Sequence, residues 1–233
     1  MKQLITLLIT LSIFGCGKNQ PSEQQTPLVL HFVEQEKGIE PYPVRMIVTP
    51  DFMRMDEGND TDDYLLLNRK ESVVYSINHE SQSYYQFNAG KSPSVLATRP
   101  KVIKSSNDTS DMPTFRDIKP IHTTYSTDEK SCYDVISIPG LNQQAVDAMR
   151  EYLSIMSRQH AKSLGHTPVE LQQKCMLVNF IFEPTQHLEK GFPLREWDFR
   201  GYSRSLIDFE TKSVDQQLFT VPENYEHVTI ETE

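Results

Sequence analysis

Residues 63–87 read DYLLLNRKESVVYSINHESQSYYQF and contain the clearest structural pattern in the sequence. Three short strand-like segments, 63–68, 72–77 and 82–87, are separated by the polar segments Arg69-Lys70-Glu71 and Asn78-His79-Glu80-Ser81. Short strands joined by tight polar turns are typical of antiparallel sheets and not of parallel ones, which need long crossover connections. The stretch therefore predicts three consecutive antiparallel strands.

Similar alternating segments lie on both sides of this meander. Three precede it, at 28–33, 44–48 and 52–56, and the first is apolar at nearly every position, as expected for a strand covered on both faces. The segments predicted as strands after it are 115–125, 132–138, 194–201, 203–210 and 214–220. Residues 88–113 are rich in Ser, Pro, Asn and Lys, which predicts a long loop.

A helical segment, about 141–183, interrupts the strands. Its first helix is predicted to begin after Asn142 and to end at Gly165, with an apolar stripe that includes Met149, Leu153 and Met156. Thr167-Pro168 begins a second helix, with Thr as N-cap and Pro at the first helical position. Residues 176–182 either continue this helix or form a buried strand.

The start of the chain resembles the signal peptide of a bacterial lipoprotein. Met1-Lys2 is followed by the apolar run 4–14 and by Ile13-Phe14-Gly15-Cys16, which resembles a lipobox. The run is shorter than the roughly 20 apolar residues that a membrane-spanning helix needs. The resemblance implies a signal peptide at 1–15, a lipid (palmitate) anchor on Cys16, and a tether at 16–27. The alternatives are an ordinary cleaved signal peptide or an uncleaved start. An Asp at position 17 would favour retention in the inner membrane. The residue there is Gly17, which favours a location on the periplasmic face of the outer membrane.

The charge balance excludes one class of partner. The chain of 233 residues has a net charge of −9, and removal of residues 1–15 leaves 22 basic and 32 acidic residues. Nucleic-acid binding depends on clustered Lys and Arg, so no nucleic-acid partner is expected. Attachment to a membrane is expected through the lipid on Cys16, because an acidic domain has little affinity for anionic lipids.

The three cysteines have a simple assignment. With Cys16 carrying lipid, Cys132 and Cys175 remain, and in an oxidising compartment they are predicted to form a disulfide. Two separate buried thiols are the alternative. A metal site is less favoured, because neither cysteine has a second ligand at the spacing of a zinc finger.

Two parts of the chain resemble the lipoprotein-carrier proteins LolA and LolB. One is the meander 44–87, with Arg54 after Pro-Asp-Phe-Met. The other is Gly191-Phe192-Pro193-Leu194 with the strands that follow and the closing residues 218–225. The resemblance implies an α+β fold in one domain, 28–233. Its curved, mainly antiparallel sheet would form an open half-barrel with helices packed on the concave side. Neither the helical segment nor the cysteine pair is part of the carrier pattern.

No catalytic residue can be nominated from the sequence, so we expect a protein that is not an enzyme and that uses no metal and no cofactor. Gly-x-Ser-x-Gly and His-Glu-x-x-His motifs are absent. Glu183, Glu189 and Glu196 have no partner that the sequence identifies. The acidic residues 56–63 are predicted to form a solvated turn, with weak calcium binding as the alternative.

The aromatic residues and methionines support a hypothesis about function. Most are expected in the core, but some are expected to line a cavity for an acyl chain or another apolar ligand, since such cavities are mostly apolar. The candidates are Tyr75, Tyr85, Met149, Leu153, Met156, Trp197 and Phe199. The first hypothesis is a non-enzymatic protein that binds a lipid or an acylated protein. The alternative is a protein-interaction module that binds a cell-envelope partner through residues 88–113 or 56–63.

Overall fold

The computed structural model describes most of the predicted domain and the end of its tether. The described residues are 26–88, 90, 98–128, 130–164, 167–168 and 171–229. The predicted signal peptide and Cys16 lie outside these residues, so the lipid anchor stays a prediction.

The described residues form one large, open, mainly antiparallel sheet of twelve strands. The strands are β1 (Leu28–Gln35), β2 (Tyr42–Val48), β3 (Phe52–Asp56), β4 (Tyr64–Asn68), β5 (Val73–Asn78), β6 (Ser83–Asn88), β7 (Ile103–Asn107), β8 (Ile121–Thr127), β9 (Lys130–Ile138), β10 (Phe192–Asp198), β11 (Ser203–Thr211) and β12 (Glu226–Val228). Their order is β12-β6-β5-β4-β3-β2-β1-β11-β10-β9-β8-β7, and β12 and β6 form the one parallel pair of this sheet. Within it β12 and β7 are the two edges, so the predicted mainly antiparallel, open sheet is confirmed.

The predicted meander corresponds to β4, β5 and β6, and its two hairpins are closed in the same way. The side-chain oxygen of Asn68 accepts a hydrogen bond from the N–H of Glu71, and that of Asn78 accepts one from Ser81. The residue after each of these donors, Ser72 or Gln82, has a positive φ. Asn favours turns because its side chain can replace a backbone hydrogen bond.

The helical segment contains a long helix and a short one. Helix α1 (Gln143–Leu164) agrees with the predicted first helix. The second begins later than predicted, because helix α2 covers Lys174–Leu177 and continues as a π-helical turn, Val178–Phe182. Residues 169–170 of the predicted start lie outside the described residues. The run 176–182 is therefore helical and not a strand.

The sheet is covered on two faces by different parts of the chain. Alternate residues of a strand point to opposite faces, and on β1 Leu28 and Leu30 belong to one core cluster while Val29 belongs to another. The first cluster includes buried side chains of α1, such as Val146 and Met149. The second includes Phe219 and other side chains of residues 214–225, near the end of the chain. The prediction that β1 is covered on both faces is confirmed.

The prediction of a continuous loop at 88–113 is wrong in part, because β7 lies within it; residues 89 and 91–97 of the predicted loop lie outside the described residues. All five residues of β7 are exposed, and hydrogen bonds to β8 make it a strand. A strand without a buried face has no hydrophobic alternation that the sequence could show. The next predicted strand, 115–125, begins only at Ile121, because 115–118 form a tight turn with positive φ at Arg116 and Asp117.

The last predicted strand, 214–220, is also wrong. Residues Gln216–Phe219 form a 3-10 turn whose start is capped by Asp215, which accepts a hydrogen bond from the N–H of Gln217 at 2.9 Å. Burial of Leu218 and Phe219 against the second core produced an apolar pattern that resembles a strand. The strand that does form in this region, β12, was not predicted from the sequence.

Candidate functional site

A cavity of about 370 Å³ lies between α1, the π-helical turn and the sheet, and has one apolar and one polar wall. The apolar wall is formed by Val44, Met46, Met53, Met55, Leu65, Met149 and Leu153. The polar wall includes Glu34, Tyr133, Asn179, Gln186, His187, Glu196, Asp198, Arg200, Tyr202 and Arg204. A mostly apolar cavity with a few converging polar groups is the usual form of a small-molecule site.

Strand register and helical spacing place the methionines on one wall. Met46 of β2 is directly opposite Met55 of β3, and Met53 lies two residues earlier on the same face of β3. On α1, Met149 and Leu153 are four residues apart and therefore share a face. Methionine side chains are flexible and polarisable, so a wall built from them adapts to apolar ligands of different shape.

The polar wall is a row of charges across three neighbouring strands. Arg204 of β11 is directly opposite Glu34 on β1 and Glu196 on β10. Its Nε lies 2.8 Å from Oε1 of Glu34, and its Nη1 lies 3.8 Å from Oε1 of Glu196. Burial by itself would lower the pKa of the Arg204 guanidinium, but Tyr202 and the two carboxylates outweigh it and raise that pKa. Arg204 is therefore always charged, and Glu34 is its closer partner.

Glu196 and His187 lie side by side on this wall but do not form an ion pair. Burial raises the pKa of the Glu196 carboxyl, and the charge of Arg204 and the hydroxyl of Tyr133 offset only part of this effect. Burial, together with the charges of Arg204 and Arg150, lowers the pKa of His187 to about 3. The Nε2 atom of His187 is 3.9 Å from Oε2 of Glu196, and its ring contacts Tyr133 with centroids 5.0 Å apart. His187 is therefore neutral near pH 7.

This neutral histidine predicts an acid-dependent loss of stability. The unfolded chain binds a proton on His187 below the ordinary pKa of 6.5, whereas the folded protein does so only near 3. The unfolded state then binds more protons, so stability falls as the pH falls from 6.5 towards 3. Between pH 7 and pH 5 the loss from this residue is about 2 kcal/mol. Urea unfolding at both pH values should show that His187→Asn loses less stability than the wild type. An equal loss in both proteins would contradict the assignment.

The predicted disulfide is present and supports one end of the cavity. Cys132 on β9 and Cys175 on α2 are bonded, with Cα atoms 5.0 Å apart. Helix α2 leads directly into the π-helical turn, which contributes Asn179 and Phe180 to the cavity. The side-chain amide of Asn179 donates a hydrogen bond to the carbonyl of Cys132 at 2.9 Å. The bridge thus joins two segments that both line the site.

The acidic residues 56–63 are not all part of a solvated turn. Asp56 belongs to β3 and is 5% exposed. Its carboxylate accepts hydrogen bonds from Arg45 at 2.9 and 2.8 Å and from Arg54 at 2.6 Å. Asp60 accepts a further one from Arg45 at 2.8 Å. Among the residues that the structure describes, no group of three or more His, Cys, Asp or Glu side chains is arranged to hold a metal ion.

The structure brings only some of the predicted ligand-binding residues together. Met149 and Leu153 line the 370 Å³ cavity. Tyr85 and Met156 line a second cavity, of about 450 Å³, between β6, β12 and the end of α1. Tyr75 belongs to the second core cluster, on the other face of the sheet.

The two remaining candidates line neither cavity. Trp197 is next to Glu196 on β10 and therefore points to the opposite face, where its ring centroid lies 5.4 Å from that of His122. Phe199 follows β10, and the Nζ of Lys130 lies 5.3 Å from the centre of its ring. The sequence pattern gave no indication of the row formed by Glu34 and Arg204, and it identified no partner for Glu196.

No family model matches the chain, and no curated protein matches it either. Among solved structures, an uncharacterized conserved protein from Thermus thermophilus aligns over 88% of this chain and 90% of its own length, with 8% identity and a TM-score of 0.43. PNGF-II aligns in its C2 and P21 crystal forms over 87% of this chain, with 9% and 10% identity and a TM-score of 0.40 in both. The chain spans only 30% and 31% of the length of those two structures. The function of the chain is therefore inferred from its cavity.

Proposed function

We propose that this protein is a lipid-anchored periplasmic protein of the bacterial outer membrane that binds, without catalysing a reaction, a lipid or an acylated protein. The observation that carries the proposal is the methionine-lined cavity of about 370 Å³ under α1. Its volume is within the usual range for small-molecule sites, about 300–1,000 Å³. Its apolar wall extends across β2, β3 and β4 of the sheet.

The flexibility of the lining residues favours an acyl chain over a rigid ligand. Four of the lining side chains are methionines: Met46, Met53, Met55 and Met149. Unbranched thioether side chains change conformation at little cost and can follow a flexible hydrocarbon. We further propose a LolA/LolB-like arrangement in which the sheet curves around α1. The shared core cluster of α1, β1 and β2 supports it.

The lipid anchor rests on the sequence alone. The lipobox-like residues Ile13-Phe14-Gly15-Cys16 support acylation of Cys16, and residues 17–27 would then act as the tether. In the described part of the chain, no helix has the length and hydrophobicity needed to cross a bilayer.

The test uses the full chain with Cys16→Ser, purified from the periplasm without detergent. We expect the variant to be soluble in the periplasm or to keep its leader, and recovery of leader-free variant in the membrane fraction would contradict the anchor. We expect ten-carbon acyl probes to bind the purified protein and to raise its melting temperature, by about 5–10 °C at a probe concentration near 100 Kd. Leu153→Trp should remove most of the shift, because the indole takes up the part of the cavity next to the methionines. Native mass spectrometry should show the same probe bound to the Cys16→Ser protein that keeps Leu153.

The matched control is Ser154→Trp, which adds the same ring to an exposed position one residue further along α1. It should leave the shift unchanged. If no probe changes the melting temperature or the mass, the protein does not bind acyl chains. A shift that survives Leu153→Trp would place the ligand outside this cavity.

A further inference from the structure

Two buried oxygen atoms on the polar wall have no hydrogen-bond donor. They are Oε2 of Glu196 and Oε1 of Gln186, and neither atom has a hydrogen-bond partner among the described residues, although the hydroxyl of Tyr133 lies near the Glu196 carboxyl. Both residues line the cavity, and they are only 3% and 2% exposed. Buried polar atoms are nearly always hydrogen-bonded in folded proteins, so two unpaired acceptors in one cavity indicate a partner that comes from outside the chain.

The orientation of the Gln186 amide is set by its neighbours. Asn179 donates its side-chain N–H to the carbonyl of Cys132, which leaves its Oδ1 free to accept. The Nε2 of Gln186 donates to this Oδ1 at 3.3 Å. The backbone carbonyl of Gln186 is held as well, by the hydroxyl of Tyr125 at 2.5 Å. Exchanging the N and O atoms of the Gln186 amide would break its hydrogen bond to Asn179. The Gln186 atom without a partner is therefore the oxygen, an acceptor.

The nearby cations are already paired with carboxylates. The Nε of Arg204 lies 2.8 Å from Oε1 of Glu34 and forms an ion pair with it, although the N–H does not point at that oxygen. The Nη1 of Arg204 lies 3.8 Å from Oε1 of Glu196. Arg200 donates to Asp198 at 2.7 Å. His187 is too far from Oε2 of Glu196, at 3.9 Å, for a hydrogen bond. Among the described lining residues, the polar wall therefore offers two buried, unpaired acceptors to a ligand, and its one buried, unpaired donor, Nε of Arg204, already lies beside the carboxylate of Glu34.

We propose that the ligand is amphipathic, with a head that carries N–H donors, such as a primary amine or a primary amide. The head donates to Glu196 and Gln186 while the apolar chain lies along the methionine wall. A carboxylate head is disfavoured, because the nearby cations already have carboxylate partners and the head would stand beside Glu196 and Asp198. This inference rests on the proposed function and adds to it the chemistry of the polar end.

The test compares four probes with the same ten-carbon chain: decylamine, decanamide, decanol and decanoic acid. Binding to the full chain with Cys16→Ser is measured at pH 7 by calorimetry below the aggregation concentration of each probe. We expect the amine and the amide to bind at least about tenfold more tightly than decanoic acid, as hydrogen bonds to two buried acceptors allow. Equal or tighter binding of decanoic acid overturns the inference.

Glu196→Gln provides the second measurement. Its fold should persist because Arg204 keeps Glu34 as a partner, and the preference for decylamine over decanoic acid should fall by about tenfold. Glu189→Gln is the matched control, since Glu189 lies outside the cavity and pairs with Lys104. It should keep the wild-type preference.

An unchanged preference in Glu196→Gln also overturns the inference. The head-group series needs no variant of the polar wall, so a misfolded Glu196→Gln leaves the test intact. If none of the four probes binds, the proposed function itself fails.

Discussion

Asp56→Ala is expected to lower the free energy of unfolding by about 3–5 kcal/mol, the usual cost of leaving a buried charge without its partner. Arg54 is 2% exposed, and its Nε depends on the carboxylate of Asp56 at 2.6 Å. Its other contacts include the carbonyl of Leu218 at 2.9 Å and the ring of Tyr64, whose centre lies 3.7 Å from the guanidinium carbon. Neither of these supplies a negative charge, so the substitution leaves an uncompensated cation between the sheet and the second core.

The ionisation of Asp56 supports the same expectation. Burial alone would raise the pKa of its carboxyl, but hydrogen bonds and charges from Arg45 and Arg54 outweigh it and lower that pKa. The carboxylate is therefore charged and needed at neutral pH. Urea unfolding curves of the wild type and of Asp56→Ala should be compared at pH 7.

Asp60→Ala is the matched control for this substitution. Asp60 also pairs with Arg45, at 2.8 Å, but its side chain is 61% exposed. Exposed ion pairs contribute little to stability, so its loss should change the free energy of unfolding by less than about 1 kcal/mol. Similar losses for Asp56→Ala and Asp60→Ala would show that burial of the arginine cluster does not matter to stability.

Cys132→Ser is the second substitution with a large expected effect. The bridge to Cys175 closes a segment with a sequence separation of 43, and the loss of this constraint on the unfolded chain is worth about 4 kcal/mol in the chain-entropy model. The free energy of unfolding should be measured under oxidising conditions. Cys175→Ser should have the same effect, because each variant removes the same bond.

Reduction of the wild type is the matched control for the cysteine variants. Dithiothreitol should lower the stability of the wild type to about that of Cys132→Ser and should leave the variant unchanged. Binding of acyl probes should weaken in the variant as well, since the bridge holds the segment that carries Asn179 to the strand that carries Tyr133. Unfolding curves that coincide for wild type and variant would show that the bond does not stabilise the fold.

Local sequence patterns predicted most of the sheet, because most of its strands can be recognised from alternating apolar and polar residues followed by a turn. The meander β4–β6 and helix α1 follow directly from Asn68, Asn78 and the apolar stripe of the helix. Two strands gave no such signal. Strand β7 has no buried face, and β12 exists because it pairs with β6, far away in the sequence.

The cavity was harder to predict than the fold, because its polar wall joins distant positions. Glu34 and Arg204 meet only through the pairing of β1 with β11. The neighbours Glu196 and Trp197 show a second reason. Because they are adjacent on β10, they point to opposite faces of the strand. A prediction based on hydrophobicity alone places Trp197 in the cavity. The structure assigns the carboxylate to it instead.

The pairing of β1 with β11 also determines when the sheet can be completed. One side of β1 (28–35) pairs with β2, but its other side pairs only with β11 (203–211). Strand β6 likewise pairs on one side with β12 (226–228). Contacts between such distant segments are slow to form, because a long loop must close before they stabilise anything. The ribosome therefore has to reach residues 203–211 before the strand at 28–35 can be paired on both sides. For a chain that we propose is exported to the periplasm, this delay keeps the polypeptide incompletely folded until residues 203–211 have been made.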